Sequence, residues 1–73
     1  MQGSKPLTII TQREAEILAL IASGLSSKEV ARELGIAPQT VERHIDHARL
    51  RTRTRNRSHL VAFALGEGLI KSA

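Results

Sequence analysis

The order Ala31, then Gly35 four positions on, then Val41 six further on constrains this chain more than any other feature. It lies within Ser27-Lys28-Glu29-Val30-Ala31-Arg32-Glu33-Leu34-Gly35-Ile36-Ala37-Pro38-Gln39-Thr40-Val41-Glu42-Arg43-His44-Ile45-Asp46. Two helices that cross closely need a small side chain where they touch, and Ala31 supplies it. The reversal between them needs a residue at ease with positive φ, and Gly35 is that residue. Ile36 can plug the corner. Val41 and Ile45 then face back onto Val30 and Leu34, because residues four apart share one side of a helix. The stretch predicts a helix-turn-helix that the rest of the chain supports. The plainer alternative, two unrelated helices joined by a glycine turn, leaves the agreement of the flanking caps unexplained.

The flanking residues place two more helices. Thr11-Gln12-Arg13-Glu14 has the capping-box form, a hydroxyl at the N-cap and a carboxylate three residues on, so helix one starts there. Ile17, Leu18, Ile21 and Ala22 form its buried stripe; Gly24 ends it and Leu25 folds back as the apolar contact. Glu14 borders that stripe. Its plain role is the cap, and its sharper one a salt bridge to an arginine from the C-terminal half. Ser26-Ser27-Lys28-Glu29 is a second capping box and opens helix two. Helix three carries Pro38 at its first position, where a missing N–H is harmless. Its N-cap then falls to Ala37, which gives up about 1 kcal/mol against Ser or Asp.

Helix three divides sharply by face. Val41, His44, Ile45, Ala48 and Thr52 lie on one side, and Gln39, Glu42, Arg43, Asp46 and, at the edge, His47 on the other. The outer side is polar, varied and free of helix breakers, as a helix facing a groove must be. Arg49-Leu50-Arg51-Thr52-Arg53-Thr54-Arg55-Asn56-Arg57 alternates like a strand. A lone strand would have no partner in a helical chain, so this segment reads as the end of helix three and a connector. Helix four is placed from an N-cap at Ser58 to about Glu67, with Gly68 behind it. Leu60, Val61, Ala64 and Leu65 make one stripe on it, enough to cover the core. His59, Ala62, Phe63 and Gly66 make a second on the opposite side, which asks for a partner surface; the plainer alternative folds Phe63 over the domain edge. Residues 1–6 read as a flexible leader, 7–70 as one domain with Leu7-Thr8-Ile9-Ile10 packing on helix one, and 71–73 as a tail.

Composition narrows the chemistry. At 73 residues the chain holds one small core, in a size class that buries about 60% of its unfolded surface. It has no cysteine, hence no disulfide and no thiolate metal site, which fits a reducing cytoplasm. No apolar run approaches the ~18 residues of a membrane span. Residues 1–42 hold four Lys or Arg against five Asp or Glu, and residues 43–73 hold seven against two, so one half is near neutral and the other +5. A basic half on a small domain points to a polyanion, the alternative being a solvated basic face. Phe63 is the sole aromatic, so a base-stacking platform for single strands cannot be built. Without a nucleophile elbow or a glycine-rich phosphate loop the chain does not read as an enzyme. His44 and His47 with Asp46 do not make a metal site, since His44 faces inward and Asp46 outward.

Thr11-Gln12-Arg13-Glu14, Ile17-Leu18, Gly24-Leu25-Ser26, Lys28-Glu29-Val30-Ala31, Leu34-Gly35-Ile36, Thr40-Val41 and Gly68-Leu69-Ile70 together resemble the LuxR/FixJ-type DNA-binding domain of bacterial transcription regulators. Arg55-Asn56-Arg57-Ser58-His59 and the Gly-Leu-Ile ending look most like its quorum-sensing branch. The resemblance covers about residues 7–70. It implies an all-α, four-helix helix-turn-helix bundle whose third helix, about 38–52, reads the major groove of duplex DNA. It implies base-reading positions at Glu42, Arg43 and Asp46, with His47 at the edge, and phosphate contacts near Lys28, Gln39, Thr40 and the later arginines, Arg49 and Arg53 among them. It also implies a homodimer through the fourth helix, which the face of His59, Ala62, Phe63 and Gly66 would make weak. A signal-sensing domain would stand upstream, outside this chain; no cofactor is implied, and the setting is the bacterial cytoplasm, on the nucleoid when DNA is bound.

Three positions depart from that pattern: Ala37 in place of a capping residue, Glu42 and Asp46 where basic residues are common, and Thr52-Arg53-Thr54 in place of an apolar–Gly–apolar corner. The last predicts the loss of two core contacts and of the C-cap, and so a looser helix four. Two other functions compete. A sigma-factor-like promoter-reading domain shares the helix-turn-helix but tends to end near its recognition helix. A dimerising antagonist, an interaction module that pairs with a full-length regulator, would suit the acidic residues on helix three.

Overall fold

Thr11 and Ser26 each accept a hydrogen bond from the amide three residues on, and Glu14 and Glu29 each reach back to the cap amide. These two capping boxes open α1 (Gln12–Ala22) and α2 (Ser27–Leu34) where the sequence places them. They are followed by α3 (Pro38–Thr52) and α4 (Arg57–Gly66) in a computed structural model that describes residues 9–71. The fold is all-α, a four-helix helix-turn-helix bundle, with no strand among the described residues. The predicted leader, Leu7 and Thr8 of the apolar run, and residues 72 and 73 of the tail lie outside that range. Ala37 caps α3 without any side-chain bond, with Pro38 behind it as expected.

The N-cap of α4 is Asn56, not Ser58. Its side-chain oxygen accepts from the His59 amide at 2.9 Å, and the His59 Nδ1 in turn accepts from the Arg55 amide at 3.1 Å. Asn is as good a cap as Ser, and this reciprocal pair starts the helix two residues earlier.

All four helices end by one device. The backbone turns left-handed at Gly24, Gly35, Arg53 and Gly68, and the following amide reaches back five residues. Those bonds run from Leu25 to Leu20, Ile36 to Ala31, Thr54 to Arg49 and Leu69 to Ala64, at 2.8–3.1 Å. Arg53, at φ 57° and ψ 38°, makes the turn without glycine. The predicted loss of the C-cap at Thr52-Arg53-Thr54 is therefore corrected. The two threonines also replace an apolar pair without leaving polar atoms stranded. Thr52 Oγ1 donates to the Ala48 carbonyl at 2.8 Å, which leaves the buried Thr54 hydroxyl to donate to Thr52 at 3.0 Å.

The core joins Ile10, Ile17, Leu18, Val30, Ala31, Val41, Ile45, Ala48, Leu60, Ala64 and Ile70. Ala31 lies buried in the helix-turn-helix crossing, with Leu34 and Ile36 half-buried against the cluster. In α4 only Leu60 and Ala64 reach the core fully. Leu65, assigned to the core stripe, is 37% exposed. The rotation of a short helix about its axis follows from packing, which a helical wheel does not contain.

Glu14 is 2% exposed and ties three segments together. Arg51, in the last turn of α3, donates to both its oxygens at 2.6 Å and to the Ile9 carbonyl at 3.0 Å. The cap and the long-range salt bridge thus coexist on one carboxylate. Burial pushes the Glu14 carboxyl up, but the Arg51 and Thr11 hydrogen bonds and the Arg51 and His44 charges outweigh it and hold it below its ordinary 4.5. A depressed carboxyl contributes stability that is complete above its unfolded pKa and is lost as pH falls through the folded value. Thermal unfolding midpoints should therefore fall below about pH 4.5, and less steeply in Glu14→Gln; some slope remains, because Glu29 and Glu42 are also depressed. Arg51→Ala, which leaves the buried carboxylate unpaired, should cost about 2–3 kcal/mol by urea unfolding, less than a fully buried pair because Arg51 is partly solvated.

Candidate nucleic-acid interface

One edge of α3 is sealed and the other open. Val41, Ile45 and Ala48 are fully buried, while Gln39, Arg43, Asp46, His47 and Arg53 are exposed and Thr40 is half-buried at the first turn. Lys28 is exposed on the first turn of α2. Among the described residues, no hydrogen bond or ion pair engages the side chains of Lys28, Gln39, Arg43, His47 or Arg53. They are free to meet an external ligand. His44 is half-buried on the inner side, and no cluster of potential metal ligands occurs among the described residues.

Glu42, Asp46, Arg49 and Arg57 behave differently. Arg57, the first residue of α4, donates from Nη2 to both oxygens of Glu42, at 2.8 and 2.7 Å, and from Nη1 to the Ser27 hydroxyl at 3.0 Å. That hydroxyl donates to Glu42 in turn. The Ser27 hydrogen bond first, and then Arg57, hold the Glu42 carboxyl below its ordinary value. Asp46 has only a 3.7 Å approach to Arg49 Nη1 and is otherwise open. Arg49 is half-buried; its Nη2 donates to the Arg55 carbonyl at 2.7 Å and pins the connector. Its buried Nε has no partner among the described residues. Glu42, Asp46, Arg49, Arg55, Asn56 and Arg57, with Ile45, line an open cleft of about 280 Å³ between α3 and the connector.

The structure thus gathers Gln39, Arg43, Asp46 and His47 on one solvent face and leaves Arg53 free at its end. It draws Glu42 and Arg49 into bonds within the chain. It also shows a residue that sequence reading leaves unassigned. Leu50 is 77% exposed. It stands nine residues past Val41, half a turn from the buried edge, and so on the midline of the polar face with Gln39 and Arg43. Its place on the wheel was visible in the sequence; an apolar type in a polar row gave no reason to choose it.

On α4, His59, Ala62 and Gly66 are exposed and Phe63 is half-buried outside the core cluster. The His59 ring folds back onto the connector through Arg55. A side chain at Gly66 would meet nothing within 4 Å, so no packing inside the chain demands glycine there. Beside this face, Ile21 and Ala22 of α1 and Ser58, Val61, Ala62 and Leu65 of α4 line a shallow, mostly apolar groove of about 370 Å³.

Arg53 combines a free guanidinium with a backbone conformation that costs an L-residue roughly 1–2 kcal/mol. Arg53→Gly is expected to stabilise the domain by about 1 kcal/mol in urea unfolding. An unchanged or lower stability would mean that the side chain makes compensating contacts.

Residues 8–64 match the family described as "Bacterial regulatory proteins, luxR family". Similar curated proteins include the oxygen regulatory protein NreC of Staphylococcus aureus strain MRSA252, 38% identical over 68 residues, which span 93% of this chain and 31% of that protein. NreC of Staphylococcus epidermidis strain ATCC 12228 is 37% identical over 69 residues, 94% of this chain and 32% of its own. The probable transcriptional regulator ycf29 of Cyanophora paradoxa is 40% identical over 60 residues, 82% of this chain and 29% of its own. The chain spans about a third of the length of these relatives.

Proposed function

The chain belongs to the luxR family of bacterial regulatory proteins, a family of DNA-binding transcription regulators, and from that premise we propose that it is a sequence-specific output module that lays α3 in the major groove of duplex DNA. The observation that carries this reading is the division of α3: a sealed Val41–Ile45–Ala48 edge behind an open face on which the Gln39, Arg43 and His47 side chains have no partner among the described residues. Arg43 is its main base reader, since the guanidinium can bond the two acceptors on the guanine edge at once. Asp46 accepts from cytosine N4 or excludes bases that offer no donor, at some cost in affinity. His47 lies at the groove edge, and Leu50 offers an apolar contact for a thymine methyl group. Lys28, Gln39, Thr40 and Arg53 serve the phosphates, Arg49 chiefly by fixing the connector.

The module works in the bacterial cytoplasm, on the nucleoid, behind a signal-receiving region of the kind that the greater length of its relatives leaves room for. The Arg55–His59 stretch supports a place near the quorum-sensing branch, while two of the three relatives named above are oxygen regulatory proteins. The pairing of Glu42 with Arg57 removes one of the two charges that favoured a dimerising antagonist. The module pairs weakly with a second copy through His59, Ala62, Phe63 and Gly66, where small residues let two helices approach.

Arg49, Arg51 and Arg57 are bonded within the chain, so Lys28, Arg43, Arg53 and Arg55 are the cations left around α3. Each phosphate neutralised contributes about −0.9 to the slope of log K against log salt; with Arg43 on a base, the other three should give a monomer a slope of about −2 to −3. An affinity that does not move with salt would count against DNA binding. Arg43→Ala should cost about 1–3 kcal/mol at a site selected from random duplexes and much less on unselected DNA; equal losses would reassign Arg43 to the backbone. Phe63→Ala should keep the fold, lower cooperativity on a double site and spare a single half-site. Unfolding of that variant would place the ring in the core instead.

A further inference from the structure

Glu42 stands one residue from Arg43 and four from Asp46, on the side of α3 that the DNA-binding reading turns toward the phosphates. A bare carboxylate there would repel the ligand. It is not bare: both oxygens are taken by Arg57 and one also by Ser27, residues that open α4 and α2. Arg57 in turn spends Nη1 on Ser27 and Nη2 on Glu42, so both its terminal nitrogens are engaged within the chain. We propose that Arg57 is a positioning residue for DNA recognition that acts through Glu42, holding that carboxylate back from the groove and cancelling its charge so that Arg43 reads beside a neutral neighbour. This rests on the DNA-binding reading. It reassigns Glu42 from base reader to shielded residue and takes Arg57 out of the phosphate contacts.

The test is a cycle of four proteins, wild type, Arg57→Gln, Glu42→Gln and the double variant. Each is titrated with one duplex carrying the site that the wild type selects, at one low salt concentration and well below each protein's unfolding midpoint. Arg57→Gln should weaken binding about tenfold, the scale of coupling expected for a close charge pair. Glu42→Gln should bind at least as well as wild type, and the double variant should return to within about twofold of it. Because every protein is titrated well below its own unfolding midpoint, a clamp that mattered only for folding predicts four equal affinities. A double variant as weak as Arg57→Gln overturns the proposal and makes Arg57 a ligand contact in its own right. Arg57→Gln binding like wild type overturns it too, since the freed carboxylate would then be without effect. If the wild type retards no duplex at low salt, the DNA reading itself falls, an outcome that the four-protein comparison keeps distinct.

Discussion

Every other helix of this domain packs against one edge of α3. Val41, Ile45 and Ala48 are the fully buried residues on it, and α1, α2 and α4 close around them with Ile17, Leu18, Val30, Ala31, Leu60 and Ala64. In a chain this short the core is too small to tolerate a second use for that edge. The consequence is that α3 has one orientation, and its remaining circumference is handed to solvent as a fixed array. The helix is stabilised by its burial rather than by its ends: its N-cap makes no side-chain bond and its C-cap lacks glycine.

The ends of the helices were legible in the sequence where local chemistry decides them. Thr11 with Glu14 and Ser26 with Glu29 fix two starts within four residues each, and Gly24, Gly35 and Gly68 mark three ends. The misses share a cause. Asn56 and Ser58 are both acceptable caps, and the choice between them depends on a connector held by Arg49 from the previous helix. Arg53 takes up a left-handed turn because Thr54 is drawn into the interior behind it. Leu65 leaves the core because α4 is rotated to suit Leu60 and Ala64. In each case a tertiary contact chose among local options that the sequence presents as equal.

The candidate site was legible in the same uneven way. The outer face of α3 follows from its helical period, and the long-range partner of Glu14 was expected as an arginine before Arg51 could be named. The pairing of Glu42 with Arg57 was not expected, because the two are fifteen residues apart, across the end of one helix and the start of the next. Nothing in the intervening spacing marks them as neighbours. Leu50 is hard to single out for the opposite reason: its place on the face is plain in the sequence, and only its exposure gives that place meaning.

Charge counting deserves a similar correction. The C-terminal half carries six arginines between residues 43 and 57, which alone would suggest a continuous basic stripe. Three of them are committed elsewhere. Arg51 neutralises a buried carboxylate, Arg57 a half-buried one, and Arg49 holds backbone. What remains toward solvent is Arg43 on the open face and Arg53 and Arg55 beyond the end of α3, with Asp46 set among them. A continuous stripe would hold any polyanion in any register. On the proposed DNA-binding reading, a single arginine flanked by one shielded and one open carboxylate penalises most placements on a charged duplex and rewards the few that give Arg43 its acceptors. On that same reading, the arginines bonded within the chain lower the attraction to nucleic acid in general, and it is this lowering that would let one side chain on α3 discriminate.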